Sequence, residues 1–578
     1  MKKFAKISAV ALACGMSLGM FAGCGDPLKK GKTEVVFWYY ADEEEAETVE
    51  AIVDWYNHNN TDGIYIEDQP KPGGSYVSLA ERALDSSRAP DAFYIGDRYL
   101  KRWAKRGYLE DITSYVAQSE IDYSDMWTSA QYRWRYDPVK NTNNMDDPIY
   151  GLPRDMNSTA LYYNASVMER QGIKIISVDE EDMDAFNAGG ADRNGNTKAS
   201  LGIDMTVPAK GFYRDQHYRN GNFTKPAYGL DGKVTETMIF NNRIAMSWDE
   251  VEDLAMILTR SYNAGLDAQK DTQWGYYTEW WFNYGWGVGG DCAVDTTGNG
   301  DWEFALGDKT HKRIVYNEDG SYATDDHGRV KFIKDGEEDS LADGQYAGGV
   351  LPSQYEAFER FIKLGKPVEY GGIGVAPRVK ADIGLSSSTS FFTTGKVAML
   401  VEESGKAFSF RKGIKNFEWD IAPLPVYKEY ERDNVTVKTK GLEIGHSGST
   451  GLGVWSKSKV KDEAFKVIDY LATGYAQTLI AQNGYRIPNS MTLTESEYIA
   501  KNVASGNSPK NIDLFAKAAT TSRPADWWYM PDNLWIDTWA TPLNTQYREN
   551  DKSVQEFFDA YTDATNQVLI NYKQQGWV

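Results

Sequence analysis

Five aromatic residues, Trp280, Trp281, Phe282, Tyr284 and Trp286, fall within the stretch TEWWFNYGWGVGGD at residues 278–291. Flat rings packed this densely serve either a buried core or the face of a ligand. Cores are filled mainly by Leu, Ile and Val, and a run of Trp with Gly on its far side suits neither a strand nor a helix. The expectation is that the rings are there for a ligand. Their excess is general: 13% of the chain is aromatic, with 18 Trp and 37 Tyr, in an otherwise polar sequence.

The 578 residues, 41% of them hydrophobic, are enough for at least two cores and a multidomain body. A net charge of -21 with only 5 His argues against nucleic acid, whose phosphates call for a basic face. An acidic surface favours solubility and neutral or cationic ligands.

The N-terminus, MKKFAKISAVALACGMSLGMFAGCGDPLKK, has a basic start (Lys2, Lys3, Lys6), an apolar run too short to span comfortably, and small residues before Cys24. Together these read as an export signal over residues 1–23. FAGC, at residues 21–24, resembles the bacterial lipobox, which implies a lipid on Cys24. Phe21 stands where Leu is usual, and Cys14 is a weaker competitor. Residues 24–33 would then form a lipid-anchored tether. Cys292 is the only other thiol, so no intramolecular disulfide framework is available. With His scarce, a buried inert Cys is favoured over a nucleophile.

The elements that must position any site follow from periodicity. EVVFWYY is a strand-type run, and after it Ala46, Val49, Ile52, Val53 and Tyr56 repeat at helical spacing; GIYIE is the next strand. This β-α-β opening predicts a parallel, helix-covered sheet. YVSLAERALDSS, APDAFYIG and DRYLKRWAKRGYLEDIT continue as helix, strand and helix. Further strands are expected at ALYYN, VAML and GLGVWSKS, and helices at SQYEAFERFIKLG, DEAFKVIDYLATGYAQTLIAQNG and residues 553–572. Polar stretches interrupt the pattern at 177–235 and 291–345. In the second, NEDG and DDHG between RIVY and RVKFI signal a small β-hairpin insertion.

Taken in order, VVFWYY with its helix, APDAFYIGDRYLKRWAKRGYLEDIT, YGLPRDMNSTALYYN, MSWDEVEDLAMILT, FFTTGKVAML, FEWDIAPLP and GLGVWSKSKVKDEAFKVIDYLATGYAQTLIAQNGYRIP resemble the extracellular solute-binding proteins of sugar ABC importers, the maltose-binding-protein-like family. No single stretch is specific; the ordered set is. The resemblance implies an α/β, two-lobe periplasmic-binding-protein-like fold (type II) with hinge crossovers and insertions in lobe two. Lobe one would comprise 34–157 plus 450–510, and lobe two 158–449 plus 511–578. It further implies a lipoprotein at the outer face of the cell membrane, acting as a monomer, that captures an oligosaccharide or related carbohydrate and delivers it to a membrane permease, without cofactor.

Sugar rings lay apolar C–H faces on aromatic rings while charged groups fix their hydroxyls. The family's lobe-two aromatic maps near residues 278–291, making Trp280, Trp281 and Trp286 stacking candidates; Trp527 and Trp528 match a later region that often adds a ring. Ligands in open α/β sheets sit beyond the carboxyl ends of strands. Trp38, Tyr39 and Asp42 after strand one, Asp97 and Arg98 after PDAFYIG, and Arg154, Asp155 and Asn157 at the first crossover are therefore ligand candidates. Asp42 is equally suited to cap the helix after it. Glu402 and Glu403 lie where the family often places a cleft contact, one of the two expected to face solvent. Asp192, Asn194 and Asn196 alternate like the start of a calcium loop, but the glycine falls two residues early and the twelfth position lacks Glu, which leaves a polar turn as the alternative.

A glycoside hydrolase would also place carboxylates and Trp in a cleft, and among 83 acidic residues candidate pairs are too common to inform. The ordered family pattern and the anchor favour a receptor over that enzyme; a peptide receptor is the other alternative.

Overall fold

The computed structural model describes residues 27–41, 43–120, 122–215, 236–325, 329–377, 388–524 and 530–578. The first strand, Thr33–Ala41, alternates strictly: Val35, Phe37 and Tyr39 are fully buried. The helix Glu43–Asn59 lays Val49, Ile52, Val53 and Tyr56 against it, as the periodicity requires. Strands Ile64–Pro72 and Ala92–Gly96 flank the first in parallel. Thr450–Val454 then joins the sheet antiparallel to Ala92–Gly96, bringing distant sequence into lobe one, and Leu152–Pro153 closes the order.

Lobe two is built on a four-stranded mixed sheet in the order Trp274–Tyr277, Val397–Glu403, Thr159–Asn164, Trp419–Ala422. Only the first pair is parallel. Thr159–Asn164 is buried at every position, so both faces are covered and its side chains cannot alternate in polarity.

Each lobe has its own apolar core. The core of lobe two draws on both segments expected in lobe one: Trp127, Ala130 and Met156 from 34–157, and Ala481, Ile487, Tyr498 and Ile499 from 450–510. The helix Tyr475–Asn483 ends at Gly484, whose left-handed backbone (φ 72°) turns the chain out of lobe one. Ile487–Pro488 then pairs with Asp155–Met156 beside the first crossover. Asn157 also pairs with Gly448, and His446 with Arg523, so several passages between the lobes run side by side.

The polar interruptions are folded. Ile173–Ile176, Met238–Asn241 and Phe212–Arg214 form a small sheet over its own cluster, including Ile176, Phe186 and Ile239. In the second interruption, Ala293–Asp295 pairs with Trp302–Phe304, and Lys312–Asn317 pairs with both Phe332–Lys334 and Gln345–Ala347 around Val315, Ala323 and Ile333. The expected hairpin is present, with a third strand added.

The aromatic stretch departs from expectation. Trp281–Trp286 is a short helix, and Trp281, Phe282, Tyr284 and Trp286 are buried in the core of lobe two. Cys292 beside it is buried too. The glycines make room for neighbours: a Cβ on Gly285 or Gly290 would collide with the Gln354 amide. Gly289 combines a left-handed φ of 77° with contact to Phe332 of the insertion.

Candidate functional site

The crossover residues form a polar cluster. Arg154 pairs with Glu45 at 2.8 Å and Asp155 at 2.9 Å, and Asp155 accepts the Thr450 N–H at 2.9 Å; both side chains are almost fully buried. The arrangement clamps lobe one's strands to the crossover rather than presenting charge to a ligand. Asn157 donates to Glu403 at 2.9 Å and accepts from Ser404 at 2.6 Å, tying the lobes together. Glu403 lies 3.5 Å from the His446 ring, and Trp280 meets that ring edge-on at 5.2 Å between centroids. Burial raises the Glu403 pKa, but the hydrogen bond and charge of His446, with Arg486 and Lys406, outweigh it and hold the carboxyl below its ordinary value. Glu402, on the opposite face of the strand, is buried, so neither carboxylate is fully open to solvent.

Other candidates lie elsewhere. The first strand runs on to Ala41, so Trp38 and Tyr39 sit within it rather than beyond its end. Trp38 donates to Gln69 at 2.9 Å under the Lys71 ammonium, and buried Tyr39 donates to Asp68 at 3.1 Å. Arg98 lies over Tyr99. Trp281 packs edge-on against Trp539, with ring centroids 5.0 Å apart, so it is a core ring rather than a stacking surface. Asp192 accepts backbone N–H groups of Asn194, Asn196 and Ser177 within 3.1 Å, the hydrogen-bond pattern of a polar turn. Among the described residues no group of three His, Cys, Asp or Glu could hold a metal. Cys24, Asp42, Trp527 and Trp528 lie outside the described residues.

The space between the lobes comprises two adjoining chambers of about 350 Å³ each. Lobe one contributes Lys101, Tyr132 and the loop 141–145; lobe two contributes Trp286, Asp291, Asp295, Trp302 and the second insertion; residues 520–523 close it along the crossovers. Tyr132, Asp291, Arg329 and Arg523 line both chambers. The Arg523 guanidinium lies 4.3 Å over the Trp286 ring and pairs with Asp291. Tyr132 is set by its neighbour Arg133, which is fully buried and donates to Asp97 at 2.9 Å and to the Ser447 hydroxyl at 2.6 Å. Asp97 itself lines neither chamber. Burial pushes the Lys101 ammonium down to about 7 and raises the Tyr132 phenol against the opposing pull of Arg133, Arg523 and Arg329.

Of the expected stacking rings, Trp286 lines the cleft as an almost fully buried ring beneath Arg523, and Trp280 stands at the crossover cluster. The residues missed are Lys101, Tyr132, Asp291, Arg329 and Arg523. Asp291 ends the quoted aromatic stretch, and QYRWRY around Tyr132 interleaves rings with arginines, a usable signal. Ion-paired side chains around aromatic edges suit a neutral, hydroxyl-rich ligand, because the charges are balanced and can still donate and accept.

Residues 40–249 match the family described as bacterial extracellular solute-binding protein. Among solved structures, the chain is similar to an ABC substrate-binding protein from Listeria monocytogenes in complex with cycloalternan, at 15% identity and a TM-score of 0.56, over 93% of this chain and 99% of that one. A cyclic alpha-maltosyl-1,6-maltose binding protein from Arthrobacter globiformis gives 15% and 0.56, over 94% and 100%. UgpB from Mycobacterium tuberculosis, in complex with glycerophosphocholine, gives 13% and 0.57, over 94% and 100%. No curated protein matches the chain in sequence. The match over residues 40–249 and the two-lobe α/β fold shared with these structures agree with the resemblance carried by the ordered motifs.

Proposed function

We propose that the protein is the substrate-binding lipoprotein of a sugar ABC importer. It is held at the outer face of the cell membrane by a lipid on Cys24, acts as a monomer without cofactor or catalysis, and delivers an oligosaccharide to a membrane permease. The observation that carries this reading is the interlobe cleft, whose walls come from both lobes and combine ring edges with balanced ion pairs. The binding proteins for cycloalternan and maltosyl-maltose support it, and the glycerophosphocholine complex shows that the fold also serves other polar solutes.

The test is calorimetric titration of the mature protein carrying Cys24→Ser against α- and β-linked oligosaccharides, with glycerophosphodiesters as the contrasting set and chromatography of the ligand afterwards. Saturable binding of an oligosaccharide recovered intact supports the reading. Hydrolysed sugar makes the protein a glycoside hydrolase, and binding confined to the phosphodiesters removes the sugar assignment.

A further inference from the structure

The solute-binding resemblance assigns no role to the insertion around Lys312–Asn317 and Phe332–Lys334, yet this segment forms part of the cleft. We propose that the insertion is a fixed specificity wall, and that Arg329 at its tip partitions the cleft and selects ligands by length and branching. The inference rests on the oligosaccharide reading above.

The first support is rigidity. Val315, Ala323 and Ile333 give the insertion a small core of its own. Its base is pinned to the aromatic stretch by the Phe332 ring, which fills the space where Gly289 lacks a side chain, and by Lys312, whose ammonium donates to the Gly289 carbonyl at 2.6 Å. At the tip, Thr324 pairs with Val330. The Asp325 N–H donates to the Arg329 carbonyl at 2.8 Å, the Asp325 carboxylate accepts the Arg329 N–H at 2.9 Å, and it pairs with the guanidinium at 2.8 Å. Arg329 is therefore held at backbone and side chain alike.

The second support is position. Arg329 lines both chambers together with Tyr132, which comes from the opposite lobe, so the boundary between the chambers is built across the cleft. Chambers of about 350 Å³ fall at the small end of ligand cavities, so each suits a short part of an oligosaccharide rather than a whole one. A ligand filling both must thread past the guanidinium, whose fixed fork of donors can bond to hydroxyls on either side of the constriction. An unbranched linkage passes such a point more readily than a branched or bulky one. Truncation of Arg329 would widen the passage between the chambers, leaving Tyr132, Asp291 and Arg523 at their boundary.

The test titrates the mature protein and its Arg329→Ala and Asp325→Asn variants with linear maltooligosaccharides and cellooligosaccharides from disaccharide to heptasaccharide, and with a cyclic maltooligosaccharide. The Arg329 side chain is 45% exposed, so both variants should keep the unfolding midpoint of the unaltered protein. The expected result is a preferred length in the unaltered protein, a loss of about tenfold or more for that ligand in Arg329→Ala, and a gain of the longer or cyclic sugars relative to it. Asp325→Asn should shift the profile the same way by less. Sugar binding with the same length profile in all three proteins overturns the wall while leaving the receptor intact. No sugar binding by the unaltered protein overturns the oligosaccharide reading and this inference with it.

Discussion

The aromatic stretch at 278–291 and the polar insertion after it are neighbours joined at Gly289, yet they meet opposite surroundings. The stretch that looks built for a ligand turns most of its rings into the core of lobe two. The insertion that looks like a solvated decoration carries Arg329 to the cleft. The difference teaches that residue type alone does not assign a side to a ring or a charge. A short helix with glycines facing Gln354 and Phe332 can bury Trp efficiently, because each ring removes a large apolar area from water. A hairpin on a small core can project charge to a distant wall.

The largest expected effect tests the aromatic half. Trp281→Ala should cost about 3–5 kcal/mol of stability, since it empties a buried site between Phe282 and Trp539. Urea unfolding monitored by circular dichroism would measure it. A loss below about 1 kcal/mol accompanied by abolished sugar binding would return the ring to the ligand and collapse the contrast.

The legibility of the fold follows the same division. The β-α-β opening was readable because Val35, Phe37 and Tyr39 alternate while Val49, Ile52, Val53 and Tyr56 repeat at helical spacing, so each pattern has one solution. The second sheet was partly hidden, since Thr159–Asn164 is buried on both faces and alternation carries no signal there. At the site, Asp97, Arg154, Asp155 and Asn157 are legible from their places near strand ends and the first crossover, Glu403 only through the family resemblance, and the structure gathers them as clamps and links around the hinge. Tyr132, Arg329 and Arg523 are not legible in the sequence, because they converge from segments nearly 400 residues apart and no local spacing encodes that meeting.

Gly289→Ala tests the joint between the two regions. The new Cβ would stand 2.5 Å from the Phe332 ring on a backbone at φ 77°, so strain and displacement of the insertion add together, at a cost of about 1–3 kcal/mol. Thermal unfolding gives the stability change, and the oligosaccharide length profile gives the displacement. A variant as stable as its parent, with the same profile, would show that the insertion is not pinned at this point.

The smallest effect concerns a second tie between the regions and depends on pH. The helix Gln354–Gly365 packs on the aromatic helix, and its capping box has Glu356 accepting the Ser353 N–H at 2.7 Å while His311, from the base of the insertion, reaches the same carboxylate at 3.1 Å. Burial raises the Glu356 pKa, but the Ser353 bonds and His311 outweigh it, so the folded value lies below the ordinary 4.5. A depressed carboxylate contributes its full stability above the unfolded value and loses it as pH falls through the folded one. Glu356→Gln should therefore lower stability at pH 7, by no more than about 1 kcal/mol because the side chain is half exposed. The gap to the unaltered protein should narrow below pH 4.5 as the native carboxyl takes up its proton. Unfolding midpoints of the two proteins measured from neutral pH into that acid range separate this from simple loss of a cap: a gap independent of pH would mean that the charge of Glu356 does no work at the joint, and that Phe332 against Gly289 holds the insertion without it.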